Sequence, residues 1–97
     1  MIIAGLDLSI NSTGVCIYDT TKNTTKYYII SSKFTKKALS LNHSSLSLIT
    51  CEKNVVDSKK EYTEKEHVKT TNIYNIVKSI ESVLLSHRVE AVCIEGI

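Results

Sequence analysis

Runs of apolar residues separated by polar turns predict a small sheet at the amino-terminal end of the chain. Residues 1–10 are nearly all apolar except for Asp7 and one serine, a pattern typical of a central strand covered on both faces. A second strand is predicted over Thr13–Tyr18 and a third over Lys26–Ile30, joined by a polar hairpin at 19–24. Together these three segments predict an antiparallel meander.

An apolar stripe at helical spacing follows in the last third of the chain. Its members recur at steps of three and four residues: Ile73, Ile76, Val77, Ile80, Val83, Leu84 and His87. Thr63 and Glu66 have the spacing of a capping box, so a helix is expected to begin there and to end near Arg88. Its apolar stripe is expected to pack on the sheet. Strand character then returns over Val89–Ile97.

The order of strand, strand, strand, helix, strand predicts a specific neighbour for the last strand. A helix that crosses over one face lets the final strand lie parallel beside the first. Residues 33–60 mix lysines, serines and short apolar fragments without a sustained period, and we expect them to be mostly loop.

Composition restricts the class of protein. Ninety-seven residues with 42% hydrophobic and 23% charged content predict one globular domain over 1–97. No apolar run approaches the roughly 18–20 residues of a membrane span, and the chain enters a strand directly after Met1, so we expect an intracellular protein without a membrane partner. Three scattered cysteines predict reduced thiols, with Cys16 and Cys93 as small core residues.

Asp7 and Glu95 are the candidate chemical groups because each lies in an apolar run that predicts a buried strand. Neither acid has a basic neighbour in its own strand segment, and a buried charge is costly unless it is paired or bound to a metal. Adjacent strands lie about 4.8 Å apart, so the two carboxylates could share a divalent cation. The alternative for each acid alone is a turn cap or an exposed strand end.

Two motifs carry a resemblance to a known family. The run Gly-Leu-Asp-Leu-Ser-Ile-Asn-Ser-Thr-Gly-Val at 5–15 resembles the first motif of the RuvC-like Holliday-junction resolvases, and Ile-Glu-Gly at 94–96 resembles their second motif. The resemblance implies a ribonuclease H-like α/β fold with a mixed sheet of strand order 3-2-1-4-5. It implies hydrolysis of DNA phosphodiesters by a metal-bound water, with Mg²⁺ or Mn²⁺ as cofactor. The serine-rich first motif is similar to that of the phage and poxvirus branches, which makes a viral or phage origin an open alternative.

The resemblance assigns metal-binding and catalytic roles to two residues. Asp7 matches the first-strand acid that bridges the metals, and Glu95 matches the fourth-strand acid that completes one metal's shell. The family's other two acids lie later in a longer chain, so the resemblance covers the amino-terminal half of the domain. We therefore expect an incomplete domain whose partners are branched, Holliday junction-like DNA and either a second copy of the chain or a second polypeptide.

Further candidates are residues that could contact substrate phosphates. Ser9, Ser12 and Thr13 lie in the turn after Asp7, where hydroxyls contact phosphate or, equally, hydrogen-bond the turn. Lys36 and Lys37 belong to a basic middle segment that suits phosphate contacts, although such charges are usually just solvated. Two other functions stay open, an ATPase fragment of the actin-like and sugar-kinase type and a non-catalytic nucleic-acid-binding module.

Overall fold

The described residues form a five-stranded mixed sheet with one long helix packed on one face. The computed structural model describes residues 1–9, 12–40, 45–52 and 61–95. The elements are β1 (Ile2–Asp7), β2 (Ser12–Asp19), β3 (Thr24–Ser31), α1 (Lys36–Ser40), β4 (Leu46–Thr50), α2 (Tyr62–Ser86) and β5 (Ala91–Glu95). The strand order is β4-β3-β2-β1-β5. The predicted mixed α/β class is confirmed.

The predicted antiparallel meander is confirmed. β1 pairs with β2 from Ile2 opposite Asp19 to Asp7 opposite Gly14, and β2 pairs with β3 in the same antiparallel sense. In the turn between β2 and β3, Oδ1 of Asp19 accepts the backbone N–H groups of Thr21 and Lys22 at 3.0 and 3.2 Å. These bonds satisfy amides that the strands leave unpaired, which is why an aspartate suits the end of β2.

The predicted crossover is confirmed as well, since α2 leads into β5, which lies parallel beside β1. The expectation that residues 33–60 form mostly loop is wrong over 36–40, where α1 forms, and over 46–50, where β4 forms. β4 pairs parallel with β3 from Tyr27 opposite Leu46 to Ser31 opposite Thr50. A five-residue strand is too short for its period to be legible, and its stability comes from pairing with a distant segment. Residues 41–44 and 53–60 lie outside the described residues.

The amino-terminal end of α2 differs from the prediction, whereas its carboxyl-terminal end agrees with it. The helix begins at Tyr62 with Glu61 as N-cap, and no side chain bonds to the cap, so the capping box predicted at Thr63 and Glu66 is wrong. Its carboxyl end matches the prediction and closes with two backbone bonds, from Arg88 N–H to the Leu85 carbonyl and from Val89 N–H to the Leu84 carbonyl. This arrangement is a Schellman motif.

Arg88 occupies the left-handed position of that motif, with φ of 53°. Glycine is the usual residue at this position because the left-handed conformation brings Cβ too close to the following carbonyl oxygen. The conformation costs other residues roughly 1–2 kcal/mol. Arg88 is therefore held in place by the surrounding bonds rather than by its own preference.

The core lies between the sheet and α2. It consists of residues from β1, β2, β3, the segment after β4, and α2: Ala4, Leu6, Val15, Ile17, Ile30, Cys51, Ile80 and Val83. Because side chains alternate along a strand, Ala4 and Leu6 face the helix, whereas Asp7 lies on the opposite face. The expectation that β1 is covered on both faces is wrong for the described residues, where α2 covers one face.

Two other burial predictions need correction. Ile80 and Val83 of the apolar stripe are buried as expected, but Ile73 and Val77 are about half exposed and line an open apolar pocket with Leu8. Cys93 is exposed rather than in the core, Cys16 is half-buried, and Cys51 is buried. All three thiols are free. Among the described helices, none is long and apolar enough to cross a membrane.

Candidate functional site

Asp7 and Glu95 end two neighbouring strands at the same height. Asp7 is the last residue of β1, Glu95 is the last residue of β5, and the two are paired in register across the parallel ladder. Residues paired in this way point to the same face, and neighbouring strands lie about 4.8 Å apart. The fold thus brings together the two acids that the sequence singled out from positions 88 residues apart.

The surroundings of Asp7 leave its carboxylate accessible. Its cross-strand neighbour on β2 is Gly14, where an added Cβ would stand 3.8 Å from Cβ of Asp7. Gly5, two residues earlier on the same face, has nothing within 4 Å of such an added atom. Asp7 is therefore flanked by positions that present no side chain, and a ligand can approach the carboxylate closely.

Both acids are exposed, which corrects the expectation that they are buried. Asp7 lies on the face that α2 does not cover, and all five residues of β5 are exposed because this strand forms the edge of the sheet. In the part of the chain that the structure describes, neither acid forms an ion pair. The two like charges lie side by side, which destabilises a sheet unless a cation compensates them.

The donor set fits a hard divalent cation. Carboxylate oxygens are ligands that Mg²⁺ prefers, and Mg²⁺ is often bound through one or two carboxylates, with waters and substrate phosphates completing its shell. Across residues 1–9, 12–40, 45–52 and 61–95, no cluster of three or more His, Cys, Asp or Glu side chains is arranged to hold a metal. A cation bound at this point would therefore have two carboxylate ligands from the described residues, Asp7 and Glu95.

The three candidate hydroxyls after Asp7 separate into two groups. Thr13 is fully buried, and its hydroxyl donates to the carbonyl oxygen of Ser9 at 3.1 Å, which favours a role in holding the turn. Ser9 and Ser12 are exposed near the end of β1. These two serines are placed where a phosphate could reach them. Residues 10 and 11 of the predicted turn lie outside the described residues.

Lys36 and Lys37 follow β3 at the end of the sheet where the two acids lie. β3 runs in the same direction as β1, since both are antiparallel to β2, and Ser31 at its end pairs with Ser12. Lys36 and Lys37 begin the short helix α1 shortly after that point, and both are exposed. Two cationic side chains and two carboxylates are therefore associated with one end of the sheet.

A second group of polar residues was not predicted. Lys22, Lys26, His87 and Arg88 line one pocket at the opposite end of the sheet. The sequence places the two lysines about 60 positions before the other two, so no spacing signal indicates that they meet. His87 was assigned to the apolar stripe of α2, and instead it hydrogen-bonds the hydroxyl of Tyr28 through Nε2.

No protein-family model matches the chain, and no curated protein or solved structure does either. The resemblance to the resolvases consequently depends on the two motifs, on the order of the strands and on the register of Asp7 with Glu95. Family and activity are therefore matters for proposal.

Proposed function

We propose that the chain is a ribonuclease H-like domain, or its amino-terminal part, from a Mg²⁺-dependent, structure-selective DNA endonuclease of the Holliday-junction resolvase type. The observation that carries this proposal is the in-register pairing of Asp7 and Glu95 at the ends of adjacent parallel strands. The resolvase motifs require this juxtaposition, and it brings two oxygen donors within reach of one cation.

The topology supports the proposal independently of the motifs. An antiparallel meander, a helical crossover and a strand parallel to β1 correspond to the 3-2-1-4 part of the strand order 3-2-1-4-5 that the resemblance implies, and the described residues include no strand beyond β5. β4 is an addition on the far side of β3, away from the two acids. It lengthens the sheet without altering the end of β1.

The residues at the end of the sheet that carries Asp7 and Glu95 would have different roles in phosphodiester hydrolysis. Asp7 and Glu95 would hold Mg²⁺ or Mn²⁺, which supplies charge neutralisation at the phosphate and a more acidic water. Lys36 and Lys37 would attract the DNA backbone, and the exposed hydroxyls of Ser9 and Ser12 would contact phosphate oxygens. These backbone contacts position the substrate and carry no sequence information, as suits an enzyme that selects branched DNA by shape.

Two carboxylates are fewer than the family uses, so the proposal includes a completing partner. β5 is an exposed edge strand, and such an edge presents unpaired backbone groups to another chain. The sheet face that carries Asp7 is also uncovered in the described residues. A second copy of the chain or a second polypeptide that docks here would bring further acids to the two already in place. An intracellular location belongs to the same proposal.

Cleavage of an end-labelled four-way DNA junction in Mg²⁺ or Mn²⁺ tests the activity. The assay compares the purified chain with Asp7→Asn and Glu95→Gln, and with Glu90→Gln as the matched control. Glu90 is an exposed acid next to the same strand, but its backbone N–H bonds to Ile2 at the other end of β1. We expect the wild type and the Glu90→Gln control to cleave the junction, and we expect both site variants to be inactive.

Other results of the same assay point to the two alternatives. Junction binding without cleavage, equal in all four proteins, would point to a nuclease domain that lacks its completing polypeptide or to a non-catalytic nucleic-acid-binding module. A rise in thermal stability with ATP and Mg²⁺, absent with DNA, would favour the ATPase. Cleavage that survives Asp7→Asn would contradict the assignment of the metal ligands.

A further inference from the structure

The strand β5 forms an edge of the sheet that the described residues leave uncovered. All five of its residues are exposed, with Val92 and Ile94 at 47% and 58%. The other edge strand, β4, differs because four of its five residues are half-buried. An edge strand presents backbone N–H and C=O groups that can pair with a strand of another molecule. Of the two edges, β5 is the one that is open to such pairing.

The sequence of β5 lacks the features that keep an edge strand from pairing. Lysine, proline and inward-pointing charges are the usual protections, and residues 91–94 contain none of them. Val92 and Ile94 are β-branched, and Cys93 lies between them at the centre of the strand. The single charged residue, Glu95, is the last of the strand. A partner strand would therefore meet an apolar segment with a strong preference for a sheet.

Val92 and Ile94 lie on the face of the sheet that carries α2, because they pair with Ala4 and Leu6 of β1. Ala4 and Leu6 are buried in the core with α2, but Val92 and Ile94 are about half exposed. Apolar β-branched side chains are stabilised by neighbours of the same kind on an adjacent strand. On its free side, β5 can obtain such neighbours from a strand of another molecule.

β5 is complementary to a second copy of itself. An antiparallel pairing centred on Cys93 places Val92 opposite Ile94 of the second copy. It also places Ala91 opposite Glu95 of the second copy, so each carboxylate meets a small apolar side chain. A parallel pairing in register would instead set two Glu95 carboxylates side by side, which is destabilising. The antiparallel arrangement is closed, because a two-fold axis at Cys93 uses the same edge on both copies.

We propose that two copies of the chain associate through β5, with the two strands antiparallel and Cys93 at the two-fold axis. Opposite residues of an antiparallel pair lie on the same face. The α2 helices of both copies therefore lie on one face of the joined sheet, and both pairs of Asp7 and Glu95 lie on the other, where they stay accessible. The proposal selects one of the two partners that the proposed function allows and rests on it to that extent, but the association itself requires neither metal nor DNA.

The contact is small, so the dimer should be reversible. One five-residue strand from each copy buries less surface than most stable protein interfaces do. Backbone hydrogen bonds between the two strands would supply the affinity, and the apolar pairs on the α2 face would fix the register. We therefore expect monomers in dilute solution and dimers at high concentration.

Sedimentation equilibrium of the purified chain, in a reducing buffer without metal, tests the association. We expect the mean mass to rise from one chain to two between about 1 µM and 1 mM, the range of weak specific binding. Ile94→Lys places a charge on the edge and should weaken the association about tenfold or more. Leu85→Lys is the matched control, since Leu85 is an apolar residue 71% exposed on α2, and it should associate like the wild type. Dilute samples of both variants should melt near the wild-type temperature.

Disulfide formation tests the register. Opposite residues of an antiparallel pair have Cα atoms about 4.5–5.5 Å apart, within the range that a disulfide spans. Diamide accepts the two electrons and two protons that a pair of Cys93 thiols loses when the S–S bond forms between the copies. We expect a covalent dimer from the wild type and from Cys16→Ser, and none from Cys93→Ser. Ala91→Cys added to Cys93→Ser should give none either, because the two copies of position 91 lie four residue steps apart along the strands.

The proposal is overturned if the chain stays monomeric up to about 1 mM, or if Ile94→Lys associates as tightly as the wild type. A covalent dimer formed through position 91 and not through Cys93 would contradict the register. Asp7→Asn should associate like the wild type, because neither readout uses cleavage or metal. A chain that dimerises without cutting junctions therefore counts against the nuclease alone, and a chain that cuts them as a monomer counts against the dimer alone.

Discussion

Asp7 and Glu95 face each other across the β1–β5 ladder, each as the last residue of its strand. The pairing places two like charges side by side on an open sheet face, in a position that other sheets fill with neutral or opposite charges. A pair of this kind reduces stability when no cation is bound. A bound cation would offset this loss of stability by neutralising the two carboxylates.

Removal of one charge of the pair should stabilise the metal-free protein. In EDTA we expect Asp7→Asn to raise the free energy of unfolding by about 0.2–1 kcal/mol, the range for charged cross-strand pairs. Thermal unfolding followed by circular dichroism would show a rise of a few degrees. Glu90→Gln, which removes an acid outside the pair, should leave the melting temperature nearly unchanged. A lower melting temperature for Asp7→Asn would mean that its carboxylate stabilises the fold.

The centre of the core should be far more sensitive than the rim of the helix stripe. Ile30 is fully buried in β3, and Ile30→Ala should lower the free energy of unfolding by about 2–5 kcal/mol through lost burial and the cavity that remains. Ile73 is 48% exposed on α2, and Ile73→Ala should cost less than about 1 kcal/mol. Urea unfolding measures both. Similar losses for the two variants would mean that the core is placed wrongly.

The start of α2 provides a test of the absent capping box. Thr63→Ala should change the free energy of unfolding by less than about 0.5 kcal/mol, as is usual for surface positions without a special contact. Glu61→Ser should stabilise the protein by about 0.5–1 kcal/mol, since serine at the N-cap can accept a free amide of the first turn. A loss above about 1 kcal/mol for Thr63→Ala would restore the capping box that the sequence predicts.

Thr13 and Ser12 should respond differently to loss of their hydroxyls. Thr13→Val removes the part-buried hydrogen bond to the Ser9 carbonyl and should destabilise the fold by about 0.5–1.5 kcal/mol. Its effect on junction binding should be no more than its effect on folding explains. Ser12→Ala should leave the melting temperature unchanged and weaken junction binding, measured by fluorescence anisotropy. The reverse pattern would assign the phosphate contact to Thr13.

Much of the fold could be predicted because its strands are local in sequence. Thr13–Tyr18 and Lys26–Ile30 lie within the observed β2 and β3, each of which extends one or two residues further at either end. Alternating and β-branched residues determine such strands locally. β4 was not predicted because its five residues form a strand only by pairing with β3, and the local sequence pattern does not reveal this partner.

The sequence predicted that Asp7 and Glu95 lie side by side, but it did not predict that both are exposed. The apolar neighbours of Asp7 and Glu95 indicated strands, and the crossover rule placed those strands side by side. Apolar neighbours do not tell which face of a sheet a helix will cover, so both acids were expected in the interior. Arg88 and Lys22 were missed for a related reason, since the approach of α2 to the hairpin is a tertiary contact.

Mn²⁺ binding followed by amide NMR tests the central claim most directly. Paramagnetic Mn²⁺ broadens signals near its site, with Mg²⁺ as the diamagnetic reference. We predict that substoichiometric Mn²⁺ selectively broadens the amides at the ends of β1 and β5, and that excess Mg²⁺ reverses the effect. Asp7→Asn and Glu95→Gln should abolish the broadening, whereas Glu90→Gln should retain it. Broadening that is absent, or that survives both site variants, would contradict the assignment of Asp7 and Glu95 as a metal-binding pair.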